Sequence, residues 1–153
     1  MALTEVVLPI NDDPADPLYL YLDTKTEAAA KVDYNGEENT NKIINFNTTY
    51  GTNTTSYAAP YCKNFTFTYP LNQHGCIPAF GQLWAIYQNK TQIEDCLSVC
   101  GGTSFGNAQF SSTYYGPYRE GVYCTWILFW SDGSINCGSI AISRSVRPVS
   151  VYE

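Results

Sequence analysis

Hydrophobic and polar positions alternate strictly over residues 17–23. Leu18, Leu20 and Leu22 share one side, and Tyr19 and Tyr21 the other, the period of a half-buried strand. A shorter apolar run over 4–10 predicts a strand closed by Pro9. Asp33 to Gly36 is turn-like. Residues 37–46 then place acids first and Ile43, Ile44 and Phe46 later, which predicts a short helix with its acids at the favourable N-terminal end. Residues 47–57 are rich in Asn, Thr, Gly and Ser and predict a loop.

The clearest helical spacing lies in residues 78–100. Phe80, Leu83, Trp84 and Tyr87 recur on one face until Asn89-Lys90 breaks the pattern. Thr91 with Glu94 three residues on reads as a capping box. The apolar face of this second helix is expected to be Ile93, Cys96, Leu97 and Cys100, with Gly101-Gly102 ending it. Beyond Gly102 the pattern changes to strands: residues 123–130, a hairpin turn at Ser131-Asp-Gly-Ser134, a return over 135–142 and a closing strand over 145–152. The sum is an α+β domain, two to three helices packed on a small antiparallel sheet.

At 153 residues the chain suits one domain with a real core, and charged residues make up only 14% against 15% aromatics, the opposite of a disordered composition. The net charge of −6 is uneven: residues 1–40 hold Glu5, Asp12, Asp13, Asp16, Asp23, Glu27, Asp33, Glu37 and Glu38 against Lys25 and Lys31. Residues 1–33 therefore read as an acidic arm of the same domain. Nothing here attracts a polyanion, so nucleic acid is not expected as a partner. No apolar stretch is long enough to enter a membrane, and residues 1–10 lack a basic segment ahead of an apolar one, so no signal peptide is visible. Export by another route, truncation and membership of a virion are each consistent with that. Asn-x-Ser/Thr sequons begin at Asn47, Asn53, Asn64 and Asn89; in an Asn/Thr-rich chain they read as chance.

Six cysteines, Cys62, Cys76, Cys96, Cys100, Cys124 and Cys137, allow many pairings that sequence does not choose among. Cys96 and Cys100 could share a helix face, but zinc needs two further ligands. His74, the only histidine, has only Cys76 near it in sequence. Buried thiols or one or two disulfides are expected, with no metal and no cofactor. Catalytic constellations are equally thin. His74 sits in a loop with Asn72, Gln73 and Gly75, and Glu94 and Asp95 are sequence neighbours that cannot face each other on a helix. Gly101 to Gly106 is not followed by a lysine-bearing helix, as a phosphate loop would be. The reading is a binding protein, not an enzyme. Residues 109–153 support it, with five Tyr, two Phe, two Trp and eight Ser, a composition that gives stiff contact area and adaptable hydrogen bonds. Misplaced residues stand out there: Cys124 between Tyr123 and Thr125, Cys137-Gly138-Ser139 interrupting a strand, and Arg144 among small residues.

Several segments in order carry a resemblance: Tyr34-Asn-Gly-Glu-Glu-Asn-Thr-Asn-Lys-Ile-Ile44, Ala58-Ala-Pro-Tyr-Cys62, residues 77–90, Ile93-Glu-Asp-Cys-Leu-Ser-Val-Cys-Gly-Gly-Thr103, Phe110-Ser-Ser-Thr113, Trp126-Ile-Leu-Phe-Trp-Ser-Asp-Gly-Ser134 and Val146-Arg-Pro-Val149. Over residues 31–153 the chain resembles the variable proteins of diversity-generating retroelements, of the kind found in gut Bacteroidales and their phages. The resemblance implies a C-type-lectin-like domain over 34–153, distantly similar to formylglycine-generating enzymes. Its variable region, about 105–145, would be rewritten by an error-prone reverse transcriptase acting at template adenines. A mutated Asn codon reaches Tyr, Ser, Cys, Arg, Ile and Phe, which would account for the misplaced residues.

Carried over, the resemblance marks Tyr118, Tyr123, Cys124, Phe129, Ser131, Asn136, Cys137, Ser139, Ile142 and Arg144 as ligand-facing, with Tyr114 and Ser134 at its margin. Trp126, Gly133 and residues 146–148 would hold the scaffold. The family has a Tyr-Trp pair before Ser-Ser-Thr where this chain has Gln109-Phe110, which blurs the edge of the variable stretch. Trp130-Ser-Asp-Gly is similar to the Trp-Asn-Asp calcium motif of lectins, yet no Glu-Pro-Asn or Gln-Pro-Asp partner is present. The implied partner is a protein or glycan on another cell or host, met at a cell surface or virion. A homo-oligomer is compatible, since trimers occur in the family. The alternatives are a fixed-specificity adhesin or structural domain of the same fold, and then a formylglycine-generating-type enzyme using a cysteine pair.

Overall fold

The computed structural model describes residues 1–2, 4–11, 26–49, 56–67, 73–119 and 122–150, without the side chains of 117–119. The alternating segment 17–23, most of the Asn/Thr-rich loop and the last residues of the closing strand lie outside the described residues. Within them the chain is α+β. A five-stranded sheet runs in the order β1-β7-β4-β5-β6, formed by β1 (Val6–Leu8), β4 (Ala108–Arg119), β5 (Val122–Phe129), β6 (Ile135–Ser139) and β7 (Arg144–Val146). A small second sheet pairs β2 (Thr66–Phe67) with β3 (Gln73–His74). All pairings are antiparallel except β4 with β7, which runs parallel at Gln109–Ser145. The helices are α1 (Glu27–Lys31), α2 (Gly36–Thr49), α3 (Ala58–Asn64), α4 (Phe80–Gln88) and α5 (Lys90–Val99), more than the two or three expected.

Local chemistry accounts for most boundaries. Thr26 caps α1 by accepting from the Ala29 N–H at 3.2 Å, and Lys31 pairs with Glu27 one turn back. Glu37 and Glu38 occupy the first turn of α2, whose buried positions Asn39, Thr40, Ile43, Phe46 and Asn47 recur at helical spacing. This helix runs three residues past the expected end. Thr48 and Thr49 donate back to the carbonyls of Ile44 and Asn45, both at 2.9 Å, so hydroxyls that suggested a loop serve a helix end instead. Asn47 is fully buried and accepts from Asn11, which closes that sequon to glycosylation in the folded protein.

The break at Asn89 is as expected, but the capping is not. Asn89 itself is the N-cap of α5, Lys90 is its first residue, and no side-chain cap bond forms. The capping box at Thr91 and Glu94 is absent; Glu94 instead accepts from the Phe105 N–H at 3.4 Å. Cys96 and Cys100 are exposed, and only Leu97 of the expected apolar face is buried. Gly101-Gly102 does end the helix: Gly102 N–H donates to Leu97 O at 2.7 Å and Gly101 N–H to Ser98 O at 3.3 Å, the paired bonds of a Schellman motif.

Side chains of β5 alternate between two cores. Ile127 enters the first, with Tyr123 and Phe129 packed at its margin, together with Phe110, Tyr114, Ile43, Phe46, Cys62 and Ile77. Trp126 and Leu128 join the second, with Phe80, Leu83 and Trp130. The sheet is thus covered on both faces. One polar junction ties the layers together. Thr113 in β4 donates to Asp33 Oδ2 at 2.6 Å and accepts from the Phe80 N–H at 2.7 Å, while Asn39 donates to the same carboxylate oxygen at 2.9 Å. The chain ends also meet: Ala2 N–H bonds Pro148 O at 2.8 Å, next to the β1–β7 ladder.

Candidate ligand-binding cleft at the sheet edge

β5 and β6 form a hairpin whose turn is built as its sequence demands. Gly133 adopts φ +72°, and the Phe129 N–H closes the loop onto Ser134 O at 2.9 Å. Asp132 accepts from the Ser134 N–H at 2.9 Å; hydrogen bonds from Ser134, side chain first, hold its carboxyl below the usual carboxylate range. The register pairs Cys124 with Ser139, Trp126 with Cys137 and Leu128 with Ile135. Because β6 ends the sheet order, its outer edge has no neighbouring strand among the described residues.

At the end of the hairpin away from the turn an open cleft of about 410 Å³ is lined by Val122, Cys124, Asn136, Cys137, Gly138, Ser139, Ile142 and Arg144. Three elements converge there: the start of β5, most of β6 and the loop into β7. Gly138 packs closely on two sides. A Cβ on it would overlap Ile127 Cδ1 and stand 3.3 Å from Arg144 Nε, so the missing side chain leaves room chiefly for Ile127 and lets Arg144 lie close over the strand. The Arg144 guanidinium stands 6.0 Å from the centre of the Phe110 ring. The Asn136 side-chain oxygen accepts from the Cys137 N–H at 2.8 Å, and the Ser139 hydroxyl from the Ala141 N–H at 3.4 Å. Ile142 is exposed.

The twelve expected ligand-facing residues therefore separate by place. Cys124, Asn136, Cys137, Ser139, Ile142 and Arg144 line one cleft, though Cys124 is itself 3% exposed. Ser131 and Ser134 are exposed in the turn, about 17 Å or more along the hairpin from the Cys124–Ser139 pair by strand rise. Tyr123 and Phe129 are half-buried against the first core. Tyr114 is a correction: it is 1% exposed inside that core, because its strand is central and its face is covered, so it presents no surface to a ligand. The side chain of Tyr118 lies outside the described residues. Val122 and Gly138 were not singled out as site residues. A glycine within a strand marks close approach, so Gly138 carried a usable signal, whereas Val122 did not.

All six cysteines are free thiols. Cys62, within α3, and Cys76 are both buried; burial pushes both thiols upward, helped by Cys76 at Cys62 and by Glu37 at Cys76, where Lys63 and the chain's amino group pull the other way and the value reaches about 12. Among the described residues no group of His, Cys, Asp and Glu could hold a metal ion, and no helix is long and apolar enough to cross a membrane. A second, more open hollow of about 500 Å³ lies over Tyr61, Asn64, Phe65 and Thr66 and contains none of the expected residues. No family model, curated protein or solved structure matches the chain.

Proposed function

We propose that the protein is a recognition module of C-type-lectin-like fold, whose C-terminal surface is diversified by retroelement mutagenesis to bind changing protein or glycan targets at a cell surface or virion. One observation carries the reading: the residues picked out as misplaced in the sequence, Cys124, Cys137, Gly138, Ser139 and Arg144, line a single cleft together with Asn136 and Ile142, which the resemblance marked as ligand-facing. Among the described residues neither carboxylate nor imidazole lines it, and the usual general bases are of those types, which favours binding over catalysis. Its walls come from a hairpin edge and a loop, where side chains change at little cost to packing. The helices and both cores lie behind it.

Sequencing the 3′ end of the gene across a natural population of its source tests this. Substitutions are expected to gather at the cleft and at Ser131 and Ser134, to trace to adenines in a nearby template copy, and to spare α2, α4 and Thr113. An unchanging cleft, or changes scattered through the helices, would replace this reading with a fixed-specificity adhesin or structural domain.

A further inference from the structure

We infer that the cleft captures a carboxylate carried by an acidic peptide segment, with Arg144 as its anchor. This rests on the recognition role proposed above and names the chemistry of the ligand. Each of the other described cationic side chains meets a partner. Lys31, Lys42, Lys63 and Lys90 each face a glutamate, at 2.6, 2.6, 3.1 and 4.0 Å. Arg147 donates to Thr103 and Ser104 and feels the charges of Glu5 and Glu94. Arg144 has no hydrogen bond or ion pair to any described residue and faces the Phe110 ring, at 6.0 Å. Its Nε is closed off from solvent and donates to no acceptor, a state that Nε and Nη1 of Arg147 share, but for Arg144 no described carboxylate lies within ion-pair range. A guanidinium held over a strand in this state is a preset half of a bidentate contact, with only the carboxylate missing.

The rest of the lining fits the same occupant. The Asn136 oxygen is engaged by the Cys137 N–H, which leaves the amide's own hydrogens for an outside acceptor. Val122 and Ile142 offer apolar contact beside the cation, as a side chain with a methylene stem requires. Among the described residues no strand pairs with the outer edge of β6, so an extended peptide can add main-chain bonds there while its side chain enters the cleft. The lining carries no aromatic ring on which a sugar would stack. Charge complementarity, edge and lining together favour peptide over saccharide.

Titration of the whole protein, followed by NMR at the Arg144 Nε–H and the amides of residues 136–139, tests this. The probes are a capped pentapeptide with one glutamate between valines, the same peptide with glutamine, and glucuronate. The glutamate peptide is expected to shift these signals saturably, with affinity at least about tenfold above the glutamine peptide, the usual worth of a charge-assisted bond. Arg144→Gln should bring the two peptides to equal affinity. Arg144→Lys, which keeps the charge and the stem, should retain a reduced preference for glutamate; it also covers the case in which Arg144→Gln does not fold. Equal affinities in the native protein, no saturable shift, or glucuronate binding as tightly as the glutamate peptide would each overturn the inference. An invariant cleft that still prefers glutamate would sink only the diversification reading. A hypervariable cleft that fails the titration would sink only this one.

Discussion

Replacing Thr113 by valine keeps the side chain's shape and removes one oxygen. That oxygen accepts from the Phe80 N–H, the first residue of α4, and donates to Asp33. Thr113 and Phe80 are both fully buried, so water cannot take over either role. An orphaned buried N–H costs about 1–3 kcal/mol, and a lost bond to a carboxylate about 1.5–3 kcal/mol. Asp33 keeps Asn39 and the Asn35 N–H as donors, which softens the second loss. The expected destabilisation is therefore about 3 kcal/mol, large for a near-isosteric change. Urea unfolding followed by the fluorescence of Trp84, Trp126 and Trp130 measures it. A Thr113→Val, Asp33→Ala double-mutant cycle isolates the shared bond, with a coupling of about 1 kcal/mol or more expected. A loss under about 1 kcal/mol for Thr113→Val would show that the junction does not hold the helices to the sheet.

Gly133→Ala should lower stability by about 1–3 kcal/mol, since φ is +72° and the new Cβ would lie 2.5 Å from the Tyr87 ring; calorimetry should show a lower Tm. Arg147→Met should cost about 3 kcal/mol, because Thr103 and Ser104 lose their shared donor and Glu5 and Glu94 lose the cation they face; hydrogen exchange should rise first in residues 103–107. Stability should fall as pH rises from about 9, where unfolded thiols begin to ionise, toward about 12, where Cys76 does so in the folded chain. The folded state holds its protons longer than the unfolded state across that window, so alkali favours unfolding, and Cys62→Ala/Cys76→Ala should flatten the slope in chemical denaturation between pH 8 and 10.

Where apolar periodicity and turn chemistry agreed, the elements were legible from sequence. The β5–β6 hairpin is the clearest case, with Ser131 to Ser134 between two apolar runs, and the Asn89 break between α4 and α5 is another. The end of α2 was not, because Thr48 and Thr49 belong by composition to a loop and only their bonds to Ile44 and Asn45 reveal the helix. α3 was hidden by Pro60 in its first turn, a position that proline tolerates. Burial of Tyr114 could not be read from a segment in which the polar Ser111, Ser112 and Thr113 are buried too; a strand covered on both faces loses its alternation. The cleft was legible through its odd residues, which no core packing explained. Its convergence depended on the β7 loop carrying Arg144 across Gly138, a long-range contact that no local pattern encodes.

The meeting of the chain ends has a mechanical consequence. Ala2 and Pro148 sit at one end of the β1–β7 ladder, and Leu8 opposite Arg144 at the other. Tension applied through both ends would pull the antiparallel pair apart like a zipper, loading one rung at a time, and not shear all its rungs together. On the C-terminal side the Val149–Cys76 bridge would open first, then Ala2–Pro148, and the Leu8–Arg144 rung last. The rung that holds the cleft's cation would thus stay closed until Val6–Val146 and Val7–Ser145 had opened.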